Sequence, residues 1–491
     1  MCTVHDESRG RFGAISRFVE RNSLRRGRRG LRGGEPRGEG CDQGEGGSGL
    51  GDRGHVGSSK SEAPTFHHRT VFQMDPFSVA GAQAVDWHPC EPRYAAGGPC
   101  MQAPVGHLLR RAGFGPRPDD LDAFAGLTWK AAVDRVLAEL DATAPEDPKD
   151  FDAYEPGAIQ DQWLNRMISG EGRLAERLAF FWHGHFATSN RKVQDPALMW
   201  SQYRLFRSKG GGTFTELVGG VCKDVAMIRW LDGNANRKGV ANENYARELQ
   251  ELFTLGIGNY TEQDVREAAR AFTGWASRHH KFVFKERFHD HGDKTFHGHT
   301  GDLDGDDVAK VLCELPACHT FIATKLLRFF THPEPVAAEV REVADVLAKT
   351  GSIRDAMRTI FMAPGFVAKE RRRALVKSPV EFAVGVLRLV GAKTAPIWVH
   401  GALERMGQIL FRPPSVKGWT SGAGWLGSAA VVERLRLANK GASLAPEEHA
   451  DAIIRCALDD ELTPELATAS AAATGKDKIA LALGSPEFQL A

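Results

Sequence analysis

Long apolar runs are missing from this chain. Nowhere do about 18 apolar residues follow one another, the length a membrane-crossing helix needs. The first residues also lack the continuous apolar stretch of a secretory leader, so the expected compartment is the cytoplasm, with export left open. Cysteine is sparse, 8 in 491 residues, scattered at positions 2, 41, 90, 100, 222, 313, 318 and 456. No C-x2-C pair occurs, which disfavours a zinc ribbon and, in a chain this long, a disulfide framework. Only Cys90 with Cys100, or Cys313 with Cys318, could close a small loop. Charge imbalance is absent too, with 63 basic against 62 acidic residues and a net charge of +1. That balance invites neither nucleic acid nor an anionic membrane. No G-x-S-x-G, Walker loop or G-x-G-x-x-G stands in a strand–turn–helix context, which argues against serine hydrolysis and nucleotide binding. Internal repeats are lacking as well.

What is present is ordinary for a globular protein, 42% hydrophobic and 25% charged. The length allows two or three average domains or one large helical one. Residues 1–60 differ from the rest, being rich in Gly and Arg with only Phe12 and Phe18 as aromatics. Such a segment cannot bury enough apolar surface to offset its ordering entropy, so 1–73 is expected to be disordered. Met74 opens MDPFSVAGAQAVDW and looks like a natural start, which makes 1–73 a candidate mis-assigned leader. Residues 74–103 read as an extended lead-in. From about 104 the apolar spacing is helical almost throughout. The expected fold is all-α: one multi-helix domain over 104–440, a helical tail over 441–491, and a small irregular or β element near 280–300, where Phe282-Val283-Phe284 suggests a strand edge.

The stretch ANENYARELQELFTLG, 241–256, carries the strongest chemical pattern. Asn242 suits a helix N-cap and Gly256 a stop. Tyr245, Leu249, Leu252 and Phe253 make a core face. Asn244, Glu248 and Glu251 form a second stripe along its edge. Two carboxylates one turn apart beside a core are costly unless a cation answers them. A metal, a substrate or an arginine would serve, with Arg110 and Arg111 the expected arginines. The bland alternative is a flank of ion pairs with Arg247 between Glu243 and Glu251.

Other constellations are weaker. Trp182-His183-Gly184-His185 ends a helix; His183 is a candidate metal ligand, and equally a core histidine bonded to a backbone carbonyl. Residues 286–299 gather His289, Asp290, His291, Asp293, His297 and His299, a donor set suited to zinc, iron or manganese but without standard spacing. Lys294 among them opposes a metal and favours an anionic ligand such as phosphate, sulfate or carboxylate. Asp290 and Lys294 could equally pin a loop. Asp302, Asp304, Asp306 and Asp307 are calcium-loop-like, but the glycine is displaced and Cys313 stands where glutamate belongs, so Asp306 reads as an N-cap. Pro413 to Trp419, PPSVKGW, is a rigid loop whose Trp419 offers a flat face to sugar or peptide, or packs structurally.

Taken in order, HLLRRAGFG at 107–115, RLAERLAFFWHGHFATS at 173–189, NENYARELQELFTLG at 242–256, AFTGW at 271–275, HDHGDKTFHG at 289–298, KSPVEFAVGVLR at 377–388 and PPSVKGW at 413–419 make the chain resemble the bacterial domain of unknown function 1800 family, in a planctomycete-type branch. The resemblance covers about 104–440. It implies an all-helical fold and supports His289, Asp290, Gly292 and Lys294, while His297 stands where relatives usually have leucine. It also suggests a partner, since the family's genes often neighbour one for an exported sulfatase-like protein. Two expectations follow. One is a metal- or anion-dependent enzyme, with Glu248 and Glu251 catalytic, His183, His289 and Asp290 holding a divalent metal, and Asn244, Arg110, Arg111, Lys294 and Trp419 binding. The other is a non-enzymatic helical scaffold for such a partner.

Overall fold

The helical periodicity from residue 104 onward resolves into helices of ordinary length with capped ends. The computed structural model describes residues 102–459 and 461–491. The expectations for 1–73, and for the lead-in up to residue 101, lie outside the described residues. In chain order the helices are α1 (Gln102–Arg111), α2 (Pro118–Ala123), α3 (Trp129–Ala138), α4 (Ala158–Ser169), α5 (Arg173–His185) and α6 (Asn190–Val193). There follow α7 (Pro196–Lys209), α8 (Phe214–Cys222), α9 (Val225–Trp230), α10 (Glu243–Glu248) and α11 (Glu262–Ala271). After a β element come α12 (Gly305–Glu314), α13 (Pro316–Phe330), α14 (Ala337–Thr350), α15 (Ile353–Met362), α16 (Pro379–Leu389) and α17 (Trp398–Arg405). The last four are α18 (Ser428–Leu444), α19 (Ala450–Leu458), α20 (Pro464–Ala472) and α21 (Gly475–Gly484). Among the described residues no helix is long and apolar enough to cross a membrane.

The β element is small, as the sequence indicates. Strands β1 (Trp275–Arg278) and β2 (Lys281–Phe284) pair antiparallel, with Trp275 opposite Phe284. Strands β3 (Lys294–Phe296) and β4 (His299–Gly301) form a second hairpin, with Lys294 opposite Gly301. Both turns carry residues at positive φ: His279 and His280 in the first, His297 and Gly298 in the second.

Helix α5 is the central rod. Leu174, Leu178, Phe181 and Trp182 are buried, and so are Glu176, Arg177, His183 and His185 on its other faces. A helix buried all round must satisfy its polar residues internally. Glu176 accepts from Trp163 Nε1 at 3.0 Å, from Tyr203 Oη at 2.9 Å and from Arg207 Nε at 2.9 Å. Arg177 pairs with Glu381 of α16.

Helix ends depart from the sequence reading where a side chain offers a better cap. The apolar run 213–231 reads as one helix but is two, because Asp224 accepts from Met227 N at 2.8 Å and starts α9. Asp304, not Asp306, caps α12, accepting from the amides of Asp306 and Asp307 while Asp307 returns the bond to Asp304 N. The C-terminal residues pack back on the chain: Leu375 and Ala491 exchange backbone hydrogen bonds, and Lys377 Nζ donates to Phe488 O at 2.7 Å.

Candidate functional site

Three distant stretches meet at the C-terminal end of α5. The first is that end itself. His183 Nε2 accepts from Phe411 N at 3.0 Å, so that nitrogen carries no proton. Its ring lies against Trp163, Phe411 and Trp419 with centroids 5.1–5.3 Å apart among the pairs. Burial pushes the His183 imidazole down to about 3. His185 Nε2 donates to the carbonyl of Phe253 at 2.9 Å, and burial, then Lys325, hold it down at about 3 as well. Both histidines are neutral and engaged in the fold.

The second stretch is the 242–256 segment that His185 grips. Asn242 caps it as expected, accepting from Asn244 N at 3.0 Å. Regular α-helix ends at Glu248, however, and Leu249–Thr254 is a π-helix. Leu255 N donates to Gln250 O at 2.9 Å, five residues back, and Thr254 Oγ1 donates to Leu249 O at 2.6 Å. Gln250 is buried, donating to Ala246 O and accepting from His297 Nε2 at 3.2 Å. π-Segments are rare and recur at functional sites.

Glu248 immediately precedes this widening and Glu251 lies within it, both half-buried. Burial, and then Glu251, push the Glu248 carboxyl above its ordinary value, while Lys417 and Arg247 pull the other way. Glu251 accepts from Tyr260 Oη at 2.7 Å. Arg247 turns aside, to both carboxylate oxygens of Glu262 at 2.6 and 2.8 Å and to Glu243 at 3.1 Å. Among the described residues no ion pair reaches either Glu248 or Glu251.

The third stretch is the 413–419 loop, which brings Lys417 and Trp419. Its fit depends on Gly418, at φ +80°, where a Cβ would stand 2.5 Å from Gly184 O. Only glycine allows that approach together with that backbone conformation. Lys417 is exposed and Trp419 half-buried on His183.

The structure thus sets Trp419 on His183, and brings Lys417 within electrostatic reach of Glu248 beside Glu251. It does not bring Arg110 and Arg111 there. Arg110 makes a bidentate pair with Asp459 in the chain's last segment. Arg111, fully buried, donates to the carbonyls of Thr331 and Arg371 at 3.2 Å each, and burial draws its guanidinium down to about 9. Asn244 is exposed, and its amide donates to Leu231 O at 3.3 Å. His289, Asp290 and Lys294 lie around the β hairpins. Arg270 Nε donates to Asp290 at 2.9 Å and, with Gly292 N, holds that carboxyl down at about 2. Lys294, buried, donates to Asp302 at 2.8 Å. Tyr260, Gln250 and Lys417 escape sequence reasoning as site residues. Tyr260 lies nine residues past Glu251, beyond the glycines 256 and 258, and no periodicity marks it.

No curated protein and no solved structure matches the chain. A family model described as "Protein of unknown function (DUF1800)" matches residues 107–490, past residue 440 and through the C-terminal helices. Over that span the chain belongs to the DUF1800 family.

Proposed function

We propose that the protein is an acid–base enzyme whose reacting groups are Glu248 and Glu251. The observation that carries this is a half-buried carboxylate pair, within reach of Lys417, that no ion pair answers among the described residues. Two neighbouring carboxyls in unequal surroundings divide into a proton donor and an ionised partner. Glu248, kept protonated to higher pH by burial and by its neighbour, is the donor. Glu251, which accepts from the Tyr260 hydroxyl, is the second reacting carboxyl. Lys417 supplies a mobile cation, and Trp419 a flat wall suited to a sugar or peptide. His183 and His185 act as supports for this junction, since both side chains are already spent on backbone groups. The test is turnover by the full chain of a panel of chromogenic glycosides, esters and peptide amides. Glu248→Gln is expected to cost at least about 100-fold in rate on any member that is turned over. Turnover that survives both Glu248→Gln and Glu251→Gln, or no turnover across the panel, defeats this reading.

One observation favours a scaffold instead. Val431, Val432, Leu435 and Leu444 are exposed on α18, beside a groove of about 810 Å³ lined by Leu435, Leu466, Ala480 and Leu481. An apolar strip of this kind suits a protein partner, the neighbouring sulfatase-like product being the one that the family resemblance suggests. Co-purification of the two chains, lost on Leu435→Glu with Leu481→Glu, would support it; independent elution would count against it.

A further inference from the structure

We propose that His289, His291 and Asp302 form a divalent-metal site, with zinc the ion best suited to their two imidazoles and one carboxylate. One ligand atom from each lies within 4.8 Å of the others. His289 and His291 sit at the end of the 3-10 turn Glu286–Phe288, and Asp302 directly follows β4. The ladder that sets Lys294 opposite Gly301 therefore folds Asp302 back onto the two histidines.

The orientation of the rings is the informative part. His289 Nδ1 donates to the Thr273 carbonyl at 2.8 Å, so its Nε2 carries the lone pair, 3.9 Å from Asp302 Oδ1. His291 Nε2 lies 3.0 Å from Glu286 Oε1, so a proton on that nitrogen, the tautomer that a metal on Nδ1 requires, has its acceptor in place. Its Nδ1 then faces Asp302 Oδ2 at 3.0 Å. Two lone-pair atoms at that distance repel unless a proton or a metal ion lies between them. Metal-bound histidines characteristically hand their other ring nitrogen to a carbonyl or a carboxylate, and here both do so. Tetrahedral zinc with bonds of about 2.0–2.2 Å separates its donor atoms by roughly 3.3–3.5 Å. His291 Nδ1 and Asp302 Oδ2, 3.0 Å apart, stand close to that spacing, and the three donor atoms fall within 4.8 Å of one another.

Lys294 does not occupy the position. Its buried ammonium takes Asp302 Oδ1 at 2.8 Å, leaving Oδ2 to the metal. A neighbouring cation lowers the ion's affinity but favours an anion in the fourth position, which three protein ligands leave open. His289 is buried, while His291 and Asp302 have 50% and 44% of their side chains exposed, so an ion can enter from solvent. No hydrogen bond or ion pair among the described residues joins this group to Glu248 or Glu251. Asp290 is outside the set, its carboxylate being held by Arg270.

The test uses the full chain, stripped with a chelator and titrated with zinc chloride by calorimetry and with cobalt chloride by visible absorption. Expected are one zinc ion bound per chain and a cobalt spectrum of low coordination number. His291→Ala, at a half-exposed position, and Asp302→Asn, which keeps an oxygen for the buried Lys294 ammonium, should each weaken binding at least about tenfold. Glu286→Gln, which touches no metal, should weaken it by roughly 10-fold. Binding that is absent, or that both His291→Ala and Asp302→Asn leave unchanged, overturns the site and leaves a proton between His291 and Asp302. The chain's other histidines and cysteines are controlled for by these variants, because ions held elsewhere would not respond to them.

Discussion

Glu176 and Glu248 are both glutamates on helices that pack into the core, and burial pushes both carboxyls upward. Their surroundings differ completely. Glu176 has no exposed surface and accepts from Trp163, Tyr203 and Arg207. Glu248 is half open, has a second carboxylate as its neighbour and is met by no ion pair among the described residues. The pair separates a carboxylate that holds a structure together from one that the structure holds in reserve. A buried charge with every lone pair answered contributes rigidity. A partly buried charge left unanswered costs stability, and such costs concentrate where chemistry is done.

The comparison breaks most visibly at Glu176. Replacing it with alanine strands Arg207 and the Tyr203 hydroxyl in the core, and a loss of about 3–5 kcal/mol is expected in urea unfolding. A loss under about 1 kcal/mol would mean that the network is replaceable. Next comes Gly418→Ala, which sets a methyl group against the Gly184 carbonyl in a left-handed backbone. About 1–3 kcal/mol should be lost, and Trp419 fluorescence should shift as the loop lifts from His183. Glu248→Gln should go the other way, leaving stability unchanged or raised by up to about 0.5 kcal/mol, since it removes repulsion by Glu251. A marked loss would put Glu248 in the same class as Glu176.

The smallest effect is the pH dependence of that last variant. Glu248 has a folded-state value raised above its ordinary 4.5, so the folded chain binds its proton more tightly than the unfolded chain does. Its favourable contribution is complete below 4.5 and is lost as pH rises through the raised value. The stability gap between Glu248→Gln and the parent should therefore widen upward from about pH 4.5 and then level off. A gap that is flat with pH, or that narrows, contradicts the raised value.

Much of the helical layout is legible in the sequence, because apolar spacing and caps act locally. Asn242 and Thr261 each cap the helix that their side chains begin. The strand edge at Phe282–Phe284 is equally local, and its hairpin is present. What escapes the sequence is long-range pairing. Arg110 and Arg111 read as cations for Glu248 and Glu251 because they lie beside apolar residues. The partner of Arg110 is Asp459, 349 residues away, and nothing in either segment announces the other. The carboxylate stripe is legible as a stripe, since side-chain period fixes it. Its neighbours Lys417 and Tyr260 are not, because loops bring them. At His291 and Asp302 the donor types are visible in the sequence, but only the β3–β4 register shows which of the many nearby donors converge.

The π-segment has a consequence for how this family can vary in length. Its wider turn makes it equivalent to an α-helix with one surplus residue. Removing a single residue between 249 and 254 would close an ordinary α-turn and leave the segments on either side in register. The widened turn itself would go, with the bonds from Leu255 N to Gln250 O and from Thr254 Oγ1 to Leu249 O, while the helix survived. A relative one residue shorter in this stretch would then keep the architecture and lose the widened turn that carries Glu251. An insertion or deletion here, in a stretch where helices ordinarily tolerate none, would mark a change of chemistry rather than of fold.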